Sequence, residues 1–387
     1  MGMILRMQTA AADAREAVRA LHQGLRNPDT GLVVFFCSSN YDLDALADEI
    51  RVLFDGVTVI GCTTAGEIGP GGYCEHSIAA VAFPADHCVA AVGRIDNLAH
   101  FSMTHGHGFA RALQQELEAR APENDGWQRF GFLLIDGLSI REEPVARALQ
   151  TALGDIPLVG GSAGDDLAFE RTWVFHDGAF HNDSAVLLLM ATDLPFRTFK
   201  TQHFVALDER LVVTEADAGR RQVREINGLP AADEYARLIG ADPARLEPAT
   251  FASSPVVVVI DGTDYVRSIQ KVEDDKALTF FCAIDEGLVL RVARGVDLVA
   301  NLRETMARLE REIGAPQLVL ACDCILRNLE ISQGGTKDAV AEILKNNNAV
   351  GFSTYGEQYA GVHVNQTLTG IAIGSPAEGA GEPPTWY

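Results

Sequence analysis

The sequence is poor in basic residues and lacks any regular cysteine pattern. Lys and Arg number 31 against 53 Asp and Glu in 387 residues, which gives a formal net charge of -22 at pH 7. This balance argues against nucleic acid or an anionic membrane as a partner, because both are bound largely through Lys and Arg. The seven cysteines include no CxxC or CxxCH, which disfavours a disulfide framework, structural zinc and covalent haem. We expect Cys322 and Cys324, a lone CxC, to be reduced thiols.

An export signal and a long apolar segment are also missing. The chain enters an amphipathic helix within its first 25 residues, without the apolar stretch and cleavage site of a signal peptide. Its longest apolar runs, such as AVLLLMA at 185–191, are too short to span a bilayer. These absences predict a cytoplasmic protein. A hydrophobic content of 47% at this length is enough for two globular domains.

Three loops built on one pattern are the main feature that is present. VIGCTTAGEIGPGGY begins at Val59, LVGGSAGDD at Leu158 and AVGFSTYGEQY at Ala349. In each, an apolar run leads into glycine, then Ser or Thr, then a second glycine followed by Asp or Glu. An apolar strand and an amphipathic helix precede each loop; the strands are LVVFFCSSN, FGFLLIDGLS and QLVLACDCI. Ser139 and Glu142 form a capping-box pattern at the second of these helices.

The spacing of these segments predicts a repeated unit. Cys37 to Gly61 and Asp136 to Gly160 both span 24 residues, and Cys322 to Gly351 spans 29. We therefore predict an α/β fold of two domains with mixed sheets, built from strand–helix–strand units that end in glycine-rich loops. Such loops would lie at corresponding strand ends, where ligands gather in α/β sheets. The alternative is that glycine-rich turns recur by chance among 36 glycines.

The loops have the composition of a polar small-molecule site. Glycines let the backbone approach a ligand, hydroxyls hydrogen-bond, and the acids can hold an amine or guanidinium. The candidate ligand-binding residues are Gly61, Thr63, Thr64, Gly66, Glu67, Gly160, Ser162, Asp165, Gly351, Ser353, Gly356, Glu357, Arg327 and Asn365. The alternative is that the loops are tight turns capped by their own side chains. No phosphate loop, dinucleotide fingerprint or GxSxG elbow occurs, so an enzyme is not predicted.

Four blocks occur in order along the chain: VIGCTTAGEI, GGSAGDD, VTEADAGRRQVREINGLPAADEYARLIG and CILRNLE…VGFSTYGEQYAGVHVNQTLTG. Together they resemble the FIST family of intracellular sensory proteins. The resemblance implies a small-ligand sensor linked to signal transduction. It also implies an N-terminal FIST-like domain at 1–229 and a C-terminal one at 230–375. The Pro/Gly-rich composition of the last residues predicts a flexible tail at 376–387.

The segment TQHF, before the VVTEAD block, is similar to the branch of this family that binds haem and senses nitric oxide. That similarity implies non-covalent haem b, and a sensor histidine kinase or cyclic-di-GMP enzyme as the partner. Homo-oligomerisation is left open. The second reading is a haem-free sensor of an amino acid or related metabolite that uses the Gly, Ser, Thr and Glu loops.

One neutral imidazole would ligate the haem iron. On strand periodicity His203 shares a face with Phe199 and Val205, an apolar setting suited to a porphyrin. His203 is therefore the predicted iron ligand, with Phe199 and Val205 beside the haem. A core histidine bonded to a backbone carbonyl is the alternative for His203. His363, which shares a polar face with Asn365, is the alternative haem ligand, or a hydrogen-bonding residue for a small ligand.

Overall fold

A computed structural model describes residues 3–121, 126–260 and 262–376. Within these ranges the fold has two parts: a core of three repeats, and a smaller β domain, residues 204–295, inserted into the third repeat. None of the helices in the described ranges is long and apolar enough to cross a membrane. The expected tail at 376–387 lies, except for its first residue, outside the described residues.

One repeat runs strand, helix, strand, helix, strand, two-stranded hairpin, strand. The first comprises β1 (Leu5–Thr9), α1 (Ala14–Leu25), β2 (Thr30–Ser38), α2 (Leu43–Leu53), β3 (Thr58–Thr64), β4 (Glu67–Gly69), β5 (Gly72–Cys74) and β6 (Ile78–Pro84). The second comprises β7 (Cys88–Asp96), α3 (Met103–Arg120), β8 (Gln128–Ile135), α4 (Glu142–Leu153), β9 (Leu158–Ser162), β10 (Val174–His176), β11 (Ala179–His181) and β12 (Ser184–Thr192). The predicted strand–helix–strand units lie inside these repeats.

The third repeat has the same order but is interrupted by the inserted domain. It begins with β13 (Phe196–Thr201), and the inserted domain then supplies β14 (Phe204–Asp217), β15 (Gln222–Ile226), β16 (Leu229–Pro230), α5 (Ala231–Ile239), α6 (Pro248–Ser253), β17 (Val256–Ile260), β18 (Thr263–Arg267), β19 (Ile269–Val272), β20 (Leu278–Phe280) and β21 (Val289–Gly295). The repeat resumes with α7 (Leu298–Ile313), β22 (Leu318–Cys324), α8 (Ile325–Gln333), α9 (Lys337–Asn346), β23 (Ala349–Thr354), β24 (Glu357–Tyr359), β25 (Val362–Val364) and β26 (Leu368–Ile373). Its longer spacing reflects two helices, α8 and α9, between β22 and β23.

Each hairpin completes the sheet of another repeat. The three sheets have the orders β1–β6–β2–β3–β10–β11, β7–β12–β8–β9–β24–β25 and β13–β26–β22–β23–β4–β5. In each sheet the two central strands of the repeated unit are parallel and their other neighbours are antiparallel. The mixed sheets of the prediction are thereby confirmed. Because β4 and β5 belong to the third sheet, the sheets cross the boundary at residue 229 that the family resemblance implies.

The first glycine of each loop pattern lies within a strand and permits a close approach of two strands. Gly61, Gly160 and Gly351 stand opposite the middle residue of an exchanged hairpin. A Cβ on them would lie 2.5, 2.1 and 1.8 Å, respectively, from a carbonyl oxygen of the neighbouring parallel strand. Since any side chain would push these strands apart, the three glycines are required for packing.

The three sheets surround one apolar core, and helices cover their outer faces. Phe36, Phe132 and Phe352 belong to this central core, where Phe36 stacks on Phe352 with ring centroids 4.6 Å apart. The outer faces pack against α1 and α2, against α3 and α4, and against α7 and α9. The helices α1, α2, α3 and α7 each begin after an Asp or Ser whose side chain accepts a first-turn N–H.

Candidate functional site

The three glycine-rich loops meet at a junction inside the core. Each loop is hydrogen-bonded to the next through its backbone. The bonds run from Ala65 N to Ser353 O (3.0 Å), from Tyr355 N to Ser162 O (3.1 Å) and from Gly164 N to Thr63 O (3.0 Å). Thr63, Thr64, Ser162 and Ser353 are all fully buried. The loops therefore lie together at corresponding strand ends, and the junction between them is packed.

The acids Glu67 and Glu357 hold the turns of their own loops. Glu357 accepts hydrogen bonds from the Thr354 hydroxyl, from the Thr367 N–H at 3.3 Å and from the Thr367 hydroxyl at 2.6 Å. Glu67 is held in the same way by the residues three before and ten after it. Burial raises the pKa of Glu67 to about 7 and that of Glu357 to about 8. Both carboxyls are thus engaged inside the protein, as the capped-turn alternative describes.

Three more of the candidate ligand residues bond within the protein. Asp165 accepts hydrogen bonds from the Tyr355 hydroxyl and from the backbone N–H groups of residues 169–171. Thr63 Oγ1 accepts a hydrogen bond from a backbone N–H at 3.0 Å, and Ser353 Oγ accepts one from a side-chain amide N–H of α8 at 3.0 Å. These side chains fix one loop against the next.

Arg327 pairs with Asp323 and makes no contact with Glu357. Its Nη1 lies 3.0 Å from Asp323 Oδ1, and the Tyr73 hydroxyl donates to the same carboxylate. The Arg327 side chain is fully buried, and its Nε and Nη2 have no hydrogen-bond partner among the described residues. Asp323 therefore ties the first hairpin to the third repeat.

The third hairpin differs from the other two at its middle cross-strand pair. In chain order these pairs are Ile68–Tyr73, Phe175–Phe180 and Gln358–His363. The exposed fractions of Gln358 and His363 are 0% and 1%, so this hairpin buries an amide and an imidazole where the others bury apolar or aromatic side chains. Because buried polar groups cost free energy unless they are paired, such a departure from the repeat marks a candidate functional position.

Several buried polar atoms around this pair lack a partner in the part of the chain that the structure describes. They are Gln358 Oε1, His363 Nε2 and Asn365 Nδ2 of the third repeat, and Arg267 Nε and Ser268 Oγ of the inserted domain. Gln358 Nε2 donates to His363 Nδ1 at 3.3 Å, and burial lowers the pKa of His363 to about 4. The imidazole is therefore neutral at pH 7, and its open Nε2 carries the proton.

Two of these residues, Arg267 and His363, line a cavity of about 380 Å³ between α4, the third hairpin and the inserted domain. We call it the interdomain pocket; Glu143, Arg147, Arg267 and His363 are among its lining residues. Glu143 is occupied by Arg221 and by a backbone N–H of the inserted domain. Arg147 and Arg267 form no ion pair within the described ranges. Arg267 Nη1 donates to the His363 carbonyl at 3.4 Å. The other guanidinium N–H groups of the two arginines are therefore the main groups of the pocket that match a carboxylate.

Glycine also shapes this pocket. Gly356 has φ of +145°, in the region that favours glycine, and a Cβ there would lie 2.3 Å from His363 Cε1. Gly66 holds the same place in the first loop, with φ of +123°. The second glycine of these two loop patterns therefore serves the turn, and in the third repeat it also leaves room for the imidazole.

The sequence pointed to only part of the interdomain pocket. Of its lining residues, His363 was among the candidates, whereas Arg147 and Arg267 were not. Asn365 and Ser162 were also candidates, and Ser162 Oγ accepts a hydrogen bond from Gln358 Nε2 at 2.9 Å, but Gln358 was not. Aligning the three loops on their acids would have found Gln358, because a polar residue follows Glu357 where Ile68 follows Glu67. The contribution of the inserted domain has no signal in the local sequence.

His203 lies between β13 and β14, where the chain leaves the third sheet. The break separates the two residues expected to share its face, since Phe199 is 1% and Val205 47% exposed. His203 Nε2 lies 2.9 Å from both carboxylate oxygens of Glu330, and its buried Nδ1 has no partner among the described residues. Its ring centroid is 4.1 Å from that of Phe204. The imidazole is thus held by a carboxylate and a phenyl ring, not on a continuous apolar strand face.

Other possible cofactor groups are enclosed. Cys322 and Cys324 are buried free thiols, and no group of three or more His, Cys, Asp or Glu in the described ranges is placed to hold a metal ion. Five surface cavities have volumes of about 270 to 460 Å³, and His203 lines none of these five.

Comparison with known proteins identifies the family. The FIST N domain matches residues 31–229, and the FIST C domain matches residues 231–360. An uncharacterized protein of Methanocaldococcus jannaschii is 22% identical over 395 residues, which cover 89% of this chain and 74% of that protein. Because the two family domains account for most of its length, and in the order that its sequence blocks indicate, the chain belongs to the FIST family.

Proposed function

We propose that this chain is a cytoplasmic, haem-free sensor that binds a small carboxylate-bearing metabolite, such as an amino acid or a related compound, in the interdomain pocket. FIST domains are sensory rather than catalytic and act in signal transduction on small ligands. The proposal rests on one observation above all: two residues that line the pocket, Arg267 of the inserted domain and His363 of the third repeat, each have a buried nitrogen without a partner among the described residues.

The chemistry of these atoms supports a carboxylate. A buried polar group without a partner costs about 1–3 kcal/mol, and a ligand that bonds to it recovers that cost. The guanidinium groups of Arg147 and Arg267 offer paired N–H donors to a planar anion. His363 Nε2 adds a neutral donor on the side of the third hairpin.

The place of the pocket supports a sensory role. Of the lining residues, Arg267 belongs to the inserted domain, and Arg147 and His363 belong to the core. A ligand that bonds to both parts favours one arrangement of the two domains by its difference in affinity for the alternatives. We propose that this arrangement is read by a partner sensor histidine kinase or a cyclic-di-GMP enzyme.

Thermal shift against a panel of amino acids and simple carboxylic acids tests the carboxylate proposal. A ligand at about 100 times its Kd stabilises the folded state by about 2.7 kcal/mol. Arg267→Met, which keeps the length but removes the fork, should abolish the shift, and Arg245→Met, at an exposed position of the inserted domain, should retain it. The proposal fails if no compound shifts the wild type, or if both variants respond alike.

The second candidate is the haem-binding, nitric-oxide-sensing function implied by TQHF. His203 favours it: a carboxylate holds one imidazole nitrogen and the other is buried and open, as is common for metal-bound histidines. A porphyrin does not fit beside this nitrogen as the chain is folded, because the nitrogen is buried and His203 is only 1% exposed. Bound haem b would supply the iron that nitric oxide ligates. His203 would be its ligand through Nδ1, and residues 202–203 would have to move.

Haemin titration separates the two candidates. Haem binding predicts a Soret band that is lost in His203→Ala and kept in His363→Ala, with circular dichroism unchanged in both. Loss only in His363→Ala would move the haem to the third hairpin. A wild-type protein without a Soret band would contradict this candidate and leave the carboxylate sensor.

A further inference from the structure

The three repeats also differ at the second residue after each hairpin. This residue has a positive φ in every repeat: 53° at His76, 46° at Asp183 and 49° at Gln366. In the second repeat it is covered by the Ala99 N–H, which donates to Asp183 at 3.0 Å. In the third it is covered by α6, where the Ala252 carbonyl accepts from Gln366 at 2.7 Å. His76 of the first repeat is exposed, with no such cover in the described residues.

Two adjoining cavities lie beside His76, where the other two repeats have a contact from another segment. Each has a volume of about 270 Å³, and His76 lines both. The first lies beside Ser38, Asn40 and Tyr41 at the end of β2. The second extends to Asp166 of the second loop and to α8. We call the two cavities together the His76 cleft. The cleft lies at the carboxyl ends of strands, where ligands of α/β sheets bind.

Asp166 gives the cleft its chemical character. Its Oδ2 accepts hydrogen bonds from Ser38, Ser39 and Asn40, at 3.1, 3.4 and 3.1 Å. All three fall on Oδ2, which leaves Oδ1 available to the cleft. Partial burial raises the pKa of Asp166, because no Lys or Arg among the described residues pairs with the carboxyl.

Two side-chain amides of the cleft also offer acceptors, whereas His76 offers its Nε2 N–H as a donor. Asn40 Nδ2 is used by Asp166 and by His76 Nδ1, at 2.8 Å from the latter, and Asn328 Nδ2 is used by Ser353. Both amides therefore present their oxygens. No Lys or Arg lines either cavity, and Glu75 at the rim is already paired with Lys337 at 3.6 Å.

We infer that the His76 cleft binds a small protonated amine, whose ammonium group lies against Asp166 Oδ1. An ammonium offers three donors to the acceptors that converge here. An anion would meet Asp166, and no Lys or Arg lines the cleft to offset the repulsion. This site has the opposite polarity to the donor-lined interdomain pocket, and it does not depend on what that pocket binds.

Isothermal titration with butylamine and 1,4-diaminobutane tests this inference, with butyrate as the negative control. Wild type should bind an amine saturably, and Asp166→Asn should weaken binding about tenfold or more. Asp155→Asn, which removes an equal charge at an exposed position, should leave binding unchanged, and so should Arg267→Met. Ser332→Phe, which fills the cleft from α8, should also block binding and decides the question if Asp166→Asn does not fold. Absence of saturable amine binding, or equal weakening by both Asp variants, would overturn the inference.

Discussion

The buried carboxyl of Glu357 predicts that the protein loses stability as the pH rises. Burial raises the pKa of Glu357 from 4.5 to about 8 in the folded protein. Below pH 4.5 both the folded and the unfolded states hold the proton. Above it the unfolded state releases the proton while the folded state keeps it, up to about pH 8. Unfolding therefore releases a proton in this window, and the free energy of unfolding falls as the pH increases.

The size of this effect follows from the pKa difference. Each pH unit inside the window lowers the free energy of unfolding by about 1.4 kcal/mol. The whole window amounts to about 5 kcal/mol, an order-of-magnitude figure for a carboxyl that is fully buried. Glu67 contributes with the same sign up to its pKa of about 7.

Glu357→Gln removes this titration and keeps the shape of the side chain. We would measure urea unfolding by tryptophan fluorescence at about pH 5.5, 6.5 and 7.5 for wild type and variant. Between the outer two values, wild type should lose about 2.7 kcal/mol more than Glu357→Gln. Glu310→Gln, at an exposed position on α7, is the control and should follow wild type. Parallel pH profiles for wild type and Glu357→Gln would refute the reasoning.

Glu357→Ala tests the hydrogen bonds of the same side chain. It leaves the Thr354 hydroxyl and both donors of Thr367 without their acceptor inside the core. At about 1–3 kcal/mol for each unsatisfied group, the loss should exceed about 3 kcal/mol at pH 5.5. A change below about 1 kcal/mol would mean that water reaches the loop and replaces the carboxyl.

Two further substitutions test packing and the domain interface. Gly351→Ala should lower the free energy of unfolding by about 3 kcal/mol or more, because its Cβ would lie 1.8 Å from the Ala321 carbonyl oxygen. Gly108→Ala in α3 is the control: no atom lies within 4 Å of its Cβ, so this substitution should stabilise the protein by up to about 1 kcal/mol. Arg221→Met should cost about 3–5 kcal/mol, because it leaves the buried Glu142 without its cation. In Arg221→Met, limited proteolysis should cut within 204–295 faster than in wild type. Equal cleavage rates in the two proteins would contradict a role of Arg221 in holding the inserted domain against the core.

The repeated unit was readable from the sequence, but the exchange of hairpins was not. Regular spacing and apolar strands specify β2–α2–β3 locally. The partner of a hairpin is chosen by contacts over long sequence separations, as when Gly351 pairs with Ile68. The inserted domain was missed for the same reason: no sequence pattern between β13 and α7 indicates that these two elements belong to one repeat.

Local patterns also failed where the tertiary structure uses a residue differently. Ser139 and Glu142 have the spacing of a capping box, yet the Ser139 hydroxyl donates to the Asp136 carbonyl at 2.8 Å. Glu142 instead lies 2.7 Å from Arg221 of the inserted domain. Likewise, the alternating face assigned to His203 ends because the strand is broken at 202–203. In both cases a distant segment or a chain exit overrides a pattern that holds only along one element.

The contacts of the inserted domain with the core bear directly on how a ligand could be sensed. Near its two chain connections, Val296 N bonds to His203 O at 2.7 Å, and His203 is fixed by Glu330 of α8. On the pocket side, Arg221 bonds to the two acids that begin α4. A buried ion pair is weak evidence for stability, because desolvation offsets most of its attraction. The Arg221 ion pair, however, requires a fixed geometry, and this geometry positions Arg267 relative to the third hairpin. A ligand in the interdomain pocket and this ion pair therefore constrain the same domain contact, whereas a ligand bound by α4 alone would leave the domain arrangement unchanged.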